Sequence, residues 1–383
     1  MVYYLNLIKS YFTNSFFIIP VSPLVLPIIG YLIGIASVAI FGLNTIFIAG
    51  TVIIGSTFLV STYRILIFTI IVPILLGSLL FYRQQSLFNT FNATWDKTVI
   101  DIHATVQDIS HTQDKHNPYV VMLSCTDIKE HASNQWQKTT ENLFLYCRSQ
   151  PTFDVADHIE IEQLSYKRPQ GSYAQYLLKE RIAGSLFTQQ IQSTVLWHPK
   201  SSIKRALYHY RQRMIEHFKH HMSTSTFALF AALFCGNKII VKKELENYKT
   251  EFQIWGISHY LARSGLHMVI ITMLLISLMS LIPVHINYKR SFIIMISLLY
   301  HLLSWPSISF LRALYTVILY YVCNILYVPI YALHLFCVVC LLILFFNPAQ
   351  ALFLDFQLSF GLTFALAWFN QITAQRRLFN QNY

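Results

Sequence analysis

Apolar residues run in long, nearly unbroken stretches toward both ends of this chain, and in the middle they alternate with polar ones. A membrane-crossing helix needs roughly 20 predominantly apolar residues, and shorter stretches serve where neighbours cover their ends. Phe16 to Phe41, Thr45 to Val60 and Ile65 to Tyr82 fit toward the N-terminus, with Pro20, Pro23 and Pro27 early in the first and Arg64 before the third. Toward the C-terminus Ile254 to Ile282, Phe292 to Trp305, Ile308 to Tyr327, Ile330 to Phe346 and Leu352 to Phe369 fit as well. The pattern predicts a membrane α-helical bundle of about eight transmembrane helices. Lys9 precedes a long apolar stretch with no small-residue cleavage site after it, which predicts a signal anchor rather than a removed leader.

From Arg83 to about Arg181 the period shortens. Thr98 to Val106, Tyr119 to Ser124, Leu143 to Cys147 and His158 to Leu164 are short and β-rich, with turns at Asn117-Pro118 and Ser149-Gln150-Pro151. An inserted small all-β domain follows, with an OB-like barrel as the first choice. Between Lys200 and Met222, Ile203, Leu207, Tyr210, Met214 and Phe218 recur at helical spacing among many cations, the pattern of a basic amphipathic helix. Thr226 to Cys235 is apolar but too short to cross, which predicts a re-entrant or interfacial piece. The expected division is N-terminal transmembrane helices over 1–83, the OB-like domain over 84–181, amphipathic and interfacial helices over 182–250, and a second transmembrane domain over 251–383.

Composition strengthens the membrane assignment. At 383 residues with 55% hydrophobic, 15% aromatic and a mean hydropathy of +0.47, the chain is too apolar for a soluble fold of its size. Its net charge is +11 although only 12% of residues are charged, so the cations crowd into the polar stretches and face an anion, either lipid headgroups or nucleic acid. An N-terminus inside the cell puts Arg64, Lys289, Arg290, Arg376 and Arg377 on the cytoplasmic side, as short loops prefer, and makes the β domain extracytoplasmic. The localisation expected is the cytoplasmic (inner) membrane, multi-pass. Cys125 and Cys147, the two cysteines of the polar domain, then sit on an oxidising side in neighbouring strands, which predicts a disulfide.

Several polar residues stand out against this apolar background. His259, Arg263 and His267, spaced i, i+4 and i+8, form one stripe if helical: a charged lining that meets phosphates, a stripe satisfied by neighbouring carbonyls, or one lying at the interface near the helix start. Arg312 in its span costs several kcal/mol unless partnered or hydrated; phosphate contact, pairing with Asp355 and snorkelling to the interface are its alternatives. Gln357 and Ser359 are candidates for hydrogen bonds between helices. On the basic helix, Lys204, Arg205, Arg211, Arg213 and Lys219 are candidate DNA contacts, with Tyr208, Tyr210 and Phe218 as stacking rings, or else they anchor the helix to the membrane surface. The chain contains no P-loop, GxGxxG, Ser-His-Asp order or zinc-ligand set, so neither catalysis nor a cofactor or metal is expected.

One run of motifs carries a resemblance. Gly256-Ile257-Ser258-His259-Tyr260-Leu261-Ala262-Arg263-Ser264-Gly265-Leu266-His267 closely resembles the G-x-S/A-H-L-L-A-I-S-G-L-H signature of the ComEC competence family. Pro306 to Ala313 is similar to its P-S-x-x-R-A motif, Phe356-Gln357-Leu358-Ser359-Phe360 to its F-Q-L-S-F motif, and Ala231 to Lys238 to its A-L-L-L-G-D segment. The resemblance implies a channel for uptake of single-stranded DNA across the inner membrane during natural transformation, its route lined by His259, Arg263, Ser264, Gly265, His267, Arg312, Asp355 and Gln357. It also implies partners: single-stranded DNA, the lipid bilayer, and other competence proteins such as a DNA receptor, a cytoplasmic motor and a separate nuclease. Arg263 stands where the family has an apolar residue and Asp355 where it has glycine, and the HxHxDH cluster of the family's metallo-β-lactamase-like domain does not occur here. The rival reading is a membrane-anchored nucleic-acid-binding or assembly protein without a pore; a small-solute carrier is disfavoured because the halves do not repeat.

Overall fold

The computed structural model describes residues 24–42, 61–111, 117–133, 135–188, 193–199, 201–235, 252–255, 265–304, 307–329 and 331–381. The described residues within 85–270 and 298–307 form one compact unit, and those within 1–84, 271–297 and 308–383 form a second.

The first unit is built on a β-barrel. β1 (Val99–His111), β2 (Tyr119–Glu130), β4 (Asn142–Cys147), β6 (Gly184–Thr188) and β5 (His158–Tyr166) pair in that order, and β5 pairs back onto β1 to close the ring. Every contact in the ring is antiparallel except β4 with β6, which run parallel. The short β3 (Gln137–Lys138) adds to β2, and β7 (Ser193–Trp197) to β5. Alternation explains the interior: Ile100, Ile102, Ala104 and Val106 of β1 point inward, with Val121, Leu123 and Cys125 of β2, Leu143, Leu145 and Cys147 of β4, and Ile159 and Ile161 of β5. A bulge on β5 aids closure. Gln163 there adopts φ 56° and donates its N–H to Asp101 Oδ1 at 2.9 Å, so the buried carboxylate holds the irregular residue in place.

The C-terminal turns of α2 (Ser61–Trp95) close one end, with Phe91 and Trp95 in the barrel core. Between them Asn92 is fully buried; its Nδ2 donates to Ala183 O at 2.9 Å and its Oδ1 accepts from Tyr166 Oη at 2.7 Å. Gly184 makes room for that ring, since a Cβ there would lie 2.2 Å from Tyr166 Oη. α3 (Gly171–Glu180) joins β5 to β6. The barrel thus runs past the expected boundary at 181 to take in β6 and β7, because the helix between β5 and β6 masks the return of the chain to the sheet.

The expected disulfide is corrected here. Cys125 and Cys147 are both free and buried. β2 and β4 do pair, but Cys147 lies opposite Tyr119, whereas the N–H of Cys125 bonds to Glu141 O at the other end of β4. Six residues of strand separate the thiols along the ladder, about 20 Å at 3.3 Å per residue, far beyond the reach of an S–S bond.

After the barrel, α4 (Ile203–His221) starts at Ser202, whose Oγ accepts the N–H of Arg205, and its last turn holds Lys219, a cation that suits the negative end of a helix, with His220 and His221 beside it. α5 (Thr224–Phe230) and a π turn (Ala231–Cys235) fold back on it, with Ile215, Phe227, Ala228 and Ala231 in a shared core.

The second unit is helical: α1 (Val25–Phe41), the first turns of α2, most of α6 (Gly265–Ser280) and α7 (Ile286–Leu303), α8 (Ile308–Ile325), α9 (Ala332–Phe346) and α10 (Leu354–Gln381). α1 and α2 meet through small residues. A Cβ on Gly34 would stand 2.1 Å from Ile74 O, and one on Gly77 2.5 Å from Tyr31 O, so the backbones touch. Ser78 Oγ donates to Gly34 O at 3.1 Å across that contact, and Tyr31 Oη reaches Leu344 O on α9 at 3.0 Å. α9 is the most enclosed of these helices, burying Leu333, Phe336, Cys337, Val339, Cys340, Ile343 and Leu344. α10 turns Leu354, Leu358, Leu362, Leu366 and Phe369 outward at near-helical spacing, Leu362 being 66% exposed. Such a stripe suits lipid rather than water. Among the described residues, two helical stretches, Ile70–Trp95 and Ile308–Ile325, are long and apolar enough to cross a membrane, although the barrel core takes the last turn of the first. Shorter apolar helices lie at Val25–Ile40, Thr224–Phe234, His267–Ser280 and Ala332–Phe346. The stretch expected over Thr45 to Val60 lies outside the described residues.

Candidate functional site

Two of the motif segments meet in the helical unit. Arg312, one turn into α8, directs Nη1 at the carbonyl oxygen of Ser359 and at Thr363 Oγ1, both on α10. Its guanidinium carbon lies 5.8 Å from the centre of the Phe360 ring, and Ser309 Oγ donates to Ser359 Oγ at 3.1 Å. Thr363 Oγ1 donates in turn to Ser359 O at 2.8 Å. A cation inside an apolar bundle is thereby compensated by neutral oxygens and a ring face. Asp355 sits in the first turn of α10, exposed, with Oδ1 accepting the N–H of Phe356 at 3.0 Å, where the positive end of the helix favours an acid. Gln357 Nε2 donates to Ala351 O at 3.0 Å and so braces the 3-10 turn Pro348–Leu352 that leads into the helix. Gly265 opens α6, and the half-buried His267 packs edge-on against Phe234, ring centres 6.0 Å apart. His259, Arg263 and Ser264 lie outside the described residues.

The cations of the basic helix divide into two groups. Arg205 faces the barrel: Nη2 pairs with Asp157 Oδ1, Nε donates to Val155 O at 2.9 Å, and Asp154 Oδ2 lies 3.4 Å away. The Asp157 side chain, 1% exposed, also receives His198 Nδ1 at 2.8 Å and the N–H of Asp154 at 2.7 Å. His209 Nε2 reaches Asp154 Oδ2 at 2.7 Å, and Tyr208 Oη donates to Ile109 O at 3.3 Å. Arg211 donates to Leu302 O at 3.0 Å. By contrast, Lys204, Arg213 and Lys219 are exposed, Lys204 donating to Gln107 Oε1 at 2.7 Å and Arg213 to His209 O at 3.5 Å. The face that packs runs through Arg205, Tyr208, Ile215 and Phe218, and it leaves Ile203 and Tyr210 exposed. A helix that reads as a uniform basic strip is fastened on one side and open on the other.

The structure adds a feature that the sequence reading passes over. Outside the barrel, Phe144 and Tyr146 of β4, Phe187 of β6, and Tyr173 and Tyr176 of α3 form a continuous set of rings. Tyr146 and Phe187 are partners in the parallel ladder, their rings 5.0 Å apart and 14° from parallel. The hydroxyls of Tyr146 and Tyr173 lie 3.1 Å apart. Burial, and after it the Tyr173 hydroxyl, push the Tyr146 phenol well above its usual range, so it stays neutral and able to donate. The available signal was β4 itself, Asn142-Leu143-Phe144-Leu145-Tyr146-Cys147, in which the positions that should be polar on a half-buried strand are aromatic. Among the described residues, no three His, Cys, Asp or Glu side chains are arranged to hold a metal.

Compared with known proteins, residues 241–382 match the family model described as Competence protein. No curated protein and no solved structure matches the chain.

Proposed function

From the premise that residues 241–382 carry the competence-protein family domain, we propose that this chain forms the route by which single-stranded DNA crosses the cytoplasmic membrane during natural transformation. The family match is the observation that carries this reading, since it ties the α6–α10 segment to competence. Geometry supports it at one point: the segments around Arg312 and Ser359 converge and place a permanent cation within the apolar bundle. A polyanion crossing hydrocarbon needs such compensation, because an isolated phosphate charge there is heavily penalised. In this reading about eight helices span the bilayer, the barrel faces the outside, and Gly265, His267, Arg312, Asp355 and Gln357 lie along the route with His259, Arg263 and Ser264. A DNA receptor, a cytoplasmic motor and a separate nuclease complete the machinery.

The test is a gene deletion followed by two assays in the same cells. Transformation should fall to background while DNA binding at the cell surface stays intact. Surface binding lost together with transformation would favour a poreless, membrane-anchored DNA-binding protein. Transformation at the wild-type rate would reject both.

A further inference from the structure

We infer that the outer face of β4 and β6 is a stacking platform for the bases of single-stranded nucleic acid, centred on Tyr146 and Phe187 and extended by Phe144, Tyr173 and Tyr176. It rests on the proposed function for the identity of the polyanion; the platform itself is argued from its own geometry.

Water-facing positions of a small barrel are ordinarily polar, and large exposed rings there are unfavourable unless something covers them. Phe187 is 51% exposed and Tyr176 45%. These rings are held rather than loose: the ladder register places Phe187 beside Tyr146, the pair is close to parallel, and the Tyr146–Tyr173 hydroxyl contact fixes the next ring. A planar base can therefore stack on the set without first ordering it. Base–aromatic stacking tolerates any sequence because every base has a π-face, and small barrels of this type use strand faces and loops in that way.

Charge is sorted in the same sense. Acids gather on β1, β2 and β5, at Asp101, Asp108, Asp127, Glu130, Glu160 and Glu162. From Gln163 to Trp197, the stretch that includes α3 and β6, the chain carries Lys167, Arg168, Lys179 and Arg181 against the single acid Glu180, while β4 is flanked by one charge of each sign, Glu141 before it and Arg148 after it. Rings carried partly on a stretch with four cations and one acid match a ligand of bases on a phosphate backbone. A docking site for a polypeptide would more naturally present aliphatic side chains among the rings, as the β7 edge does with Leu196 beside Trp197.

The experiment uses the full chain purified in detergent and fluorescence anisotropy with two probes, a thymidine oligomer of about 16 nucleotides and an abasic oligomer of the same length. Wild type should bind the thymidine oligomer about tenfold or more tightly than the abasic one. Phe187→Ala should weaken thymidine binding about five- to hundredfold, the range that stacking on one ring contributes, and leave abasic binding unchanged. Phe187→Trp should retain it, and Tyr176→Ala, on the helix surface, should show a smaller loss of the same kind. Equal affinity of wild type for both probes overturns the platform, as does a Phe187→Ala loss shared equally by both probes. A photo-crosslinker at 187 that captures a polypeptide and no oligonucleotide assigns the face to a protein partner and overturns it too. The two readings fail separately: transformation unaffected by gene deletion removes the transport role but not base-dependent binding in detergent, and absent base dependence removes the platform alone.

Discussion

In the barrel unit Arg205 ends on carboxylates, those of Asp157 and Asp154, whereas in the helical unit Arg312 ends on a main-chain carbonyl and a hydroxyl, those of Ser359 and Thr363. Each arginine joins two segments far apart in sequence. The consequences of removing a partner differ. Where charge meets buried charge, deleting one side strands the other in a poorly solvated place, and the cost is large. Where charge meets neutral oxygens that already bond within their own helix, as Ser359 O does with Thr363 Oγ1, deleting the charge strands very little. The barrel's arginine is thus tied to buried charge, whereas the bundle's is held by neutral oxygens and a ring face.

The largest effect should follow from breaking the committed pair. Asp157→Ala leaves Arg205 facing the barrel without its buried carboxylate and removes the acceptor of His198 and of the Asp154 N–H, which should cost about 3–5 kcal/mol of barrel stability. Urea titration followed by tryptophan fluorescence reads it, since Trp95 lies in the barrel core. A midpoint equal to wild type would show the network to be ornamental and dissolve the contrast.

Arg312→Leu sharpens the contrast from the other side. Protein level and melting should change little, by about 1 kcal/mol, because only hydrogen bonds to neutral acceptors are lost. Transformation should nevertheless fall tenfold or more if the charge serves a passing polyanion, and Arg263→Leu should behave alike. Normal uptake at normal abundance in both variants would refute the arginine-lined route. A collapse in abundance for Arg312→Leu would instead place Arg312 in the same structural class as Arg205.

These contrasts mark what the sequence made legible. The strands announced themselves because their inward residues alternate, as in Ile100, Ile102 and Ala104, and the basic helix because its apolar residues recur at helical spacing. β6 stayed hidden: Gly184 to Thr188 is five residues long and follows a helix, too short for periodicity to register. In the sequence Arg205 is a candidate for phosphate contact or membrane anchoring like its neighbours, because its carboxylate lies 48 residues away, a contact that only the closed barrel creates. Arg312 was recognisable as a costly cation in an apolar span, but its partners, 47 and 51 residues on, emerge only when the helices pack. Cys125 and Cys147 misled for a related reason: adjacency of strands is visible in sequence, whereas register along them is not.

A smaller, pH-dependent effect should come from Asp101. Its burial on its own would raise the carboxyl pKa, but the N–H of Gln163, His131 and Lys129 outweigh that and hold it below the usual carboxylate value. A folded-state pKa below the unfolded one means stability that is present above the unfolded value, about 3.9, and is lost as pH falls through the folded one. Melting temperature should therefore drop on acidification below about pH 4, and Asp101→Asn should remove that part of the slope while lowering stability at neutral pH. An unchanged acid slope in Asp101→Asn would assign the acid sensitivity to other carboxylates.

The smallest expected effect is none, and it concerns the thiols. Because Cys125 and Cys147 sit at opposite ends of the β2–β4 ladder as free thiols, a reductant should leave the melting temperature and gel mobility of the barrel unchanged, even if that domain faces an oxidising side. Burial pushes each thiol up to about 12, with the charge of Glu141 adding to the effect at Cys125. Since the thiolate is the reactive form, neither should be alkylated in the native state at neutral pH, and both should react once the barrel unfolds. The same shifts give an alkaline signature: the folded state holds these protons more tightly than the unfolded chain, so stability should fall as pH rises above about 8.5, where an unperturbed cysteine begins to ionise. Cys125→Ala together with Cys147→Ala should flatten that alkaline limb at a cost in packing common to any buried side chain that is cut back. Recovery of a Cys125–Cys147 linked peptide from native membranes by mass spectrometry would contradict the register of β2 against β4, and with it the barrel on which Arg205 and Asp157 meet.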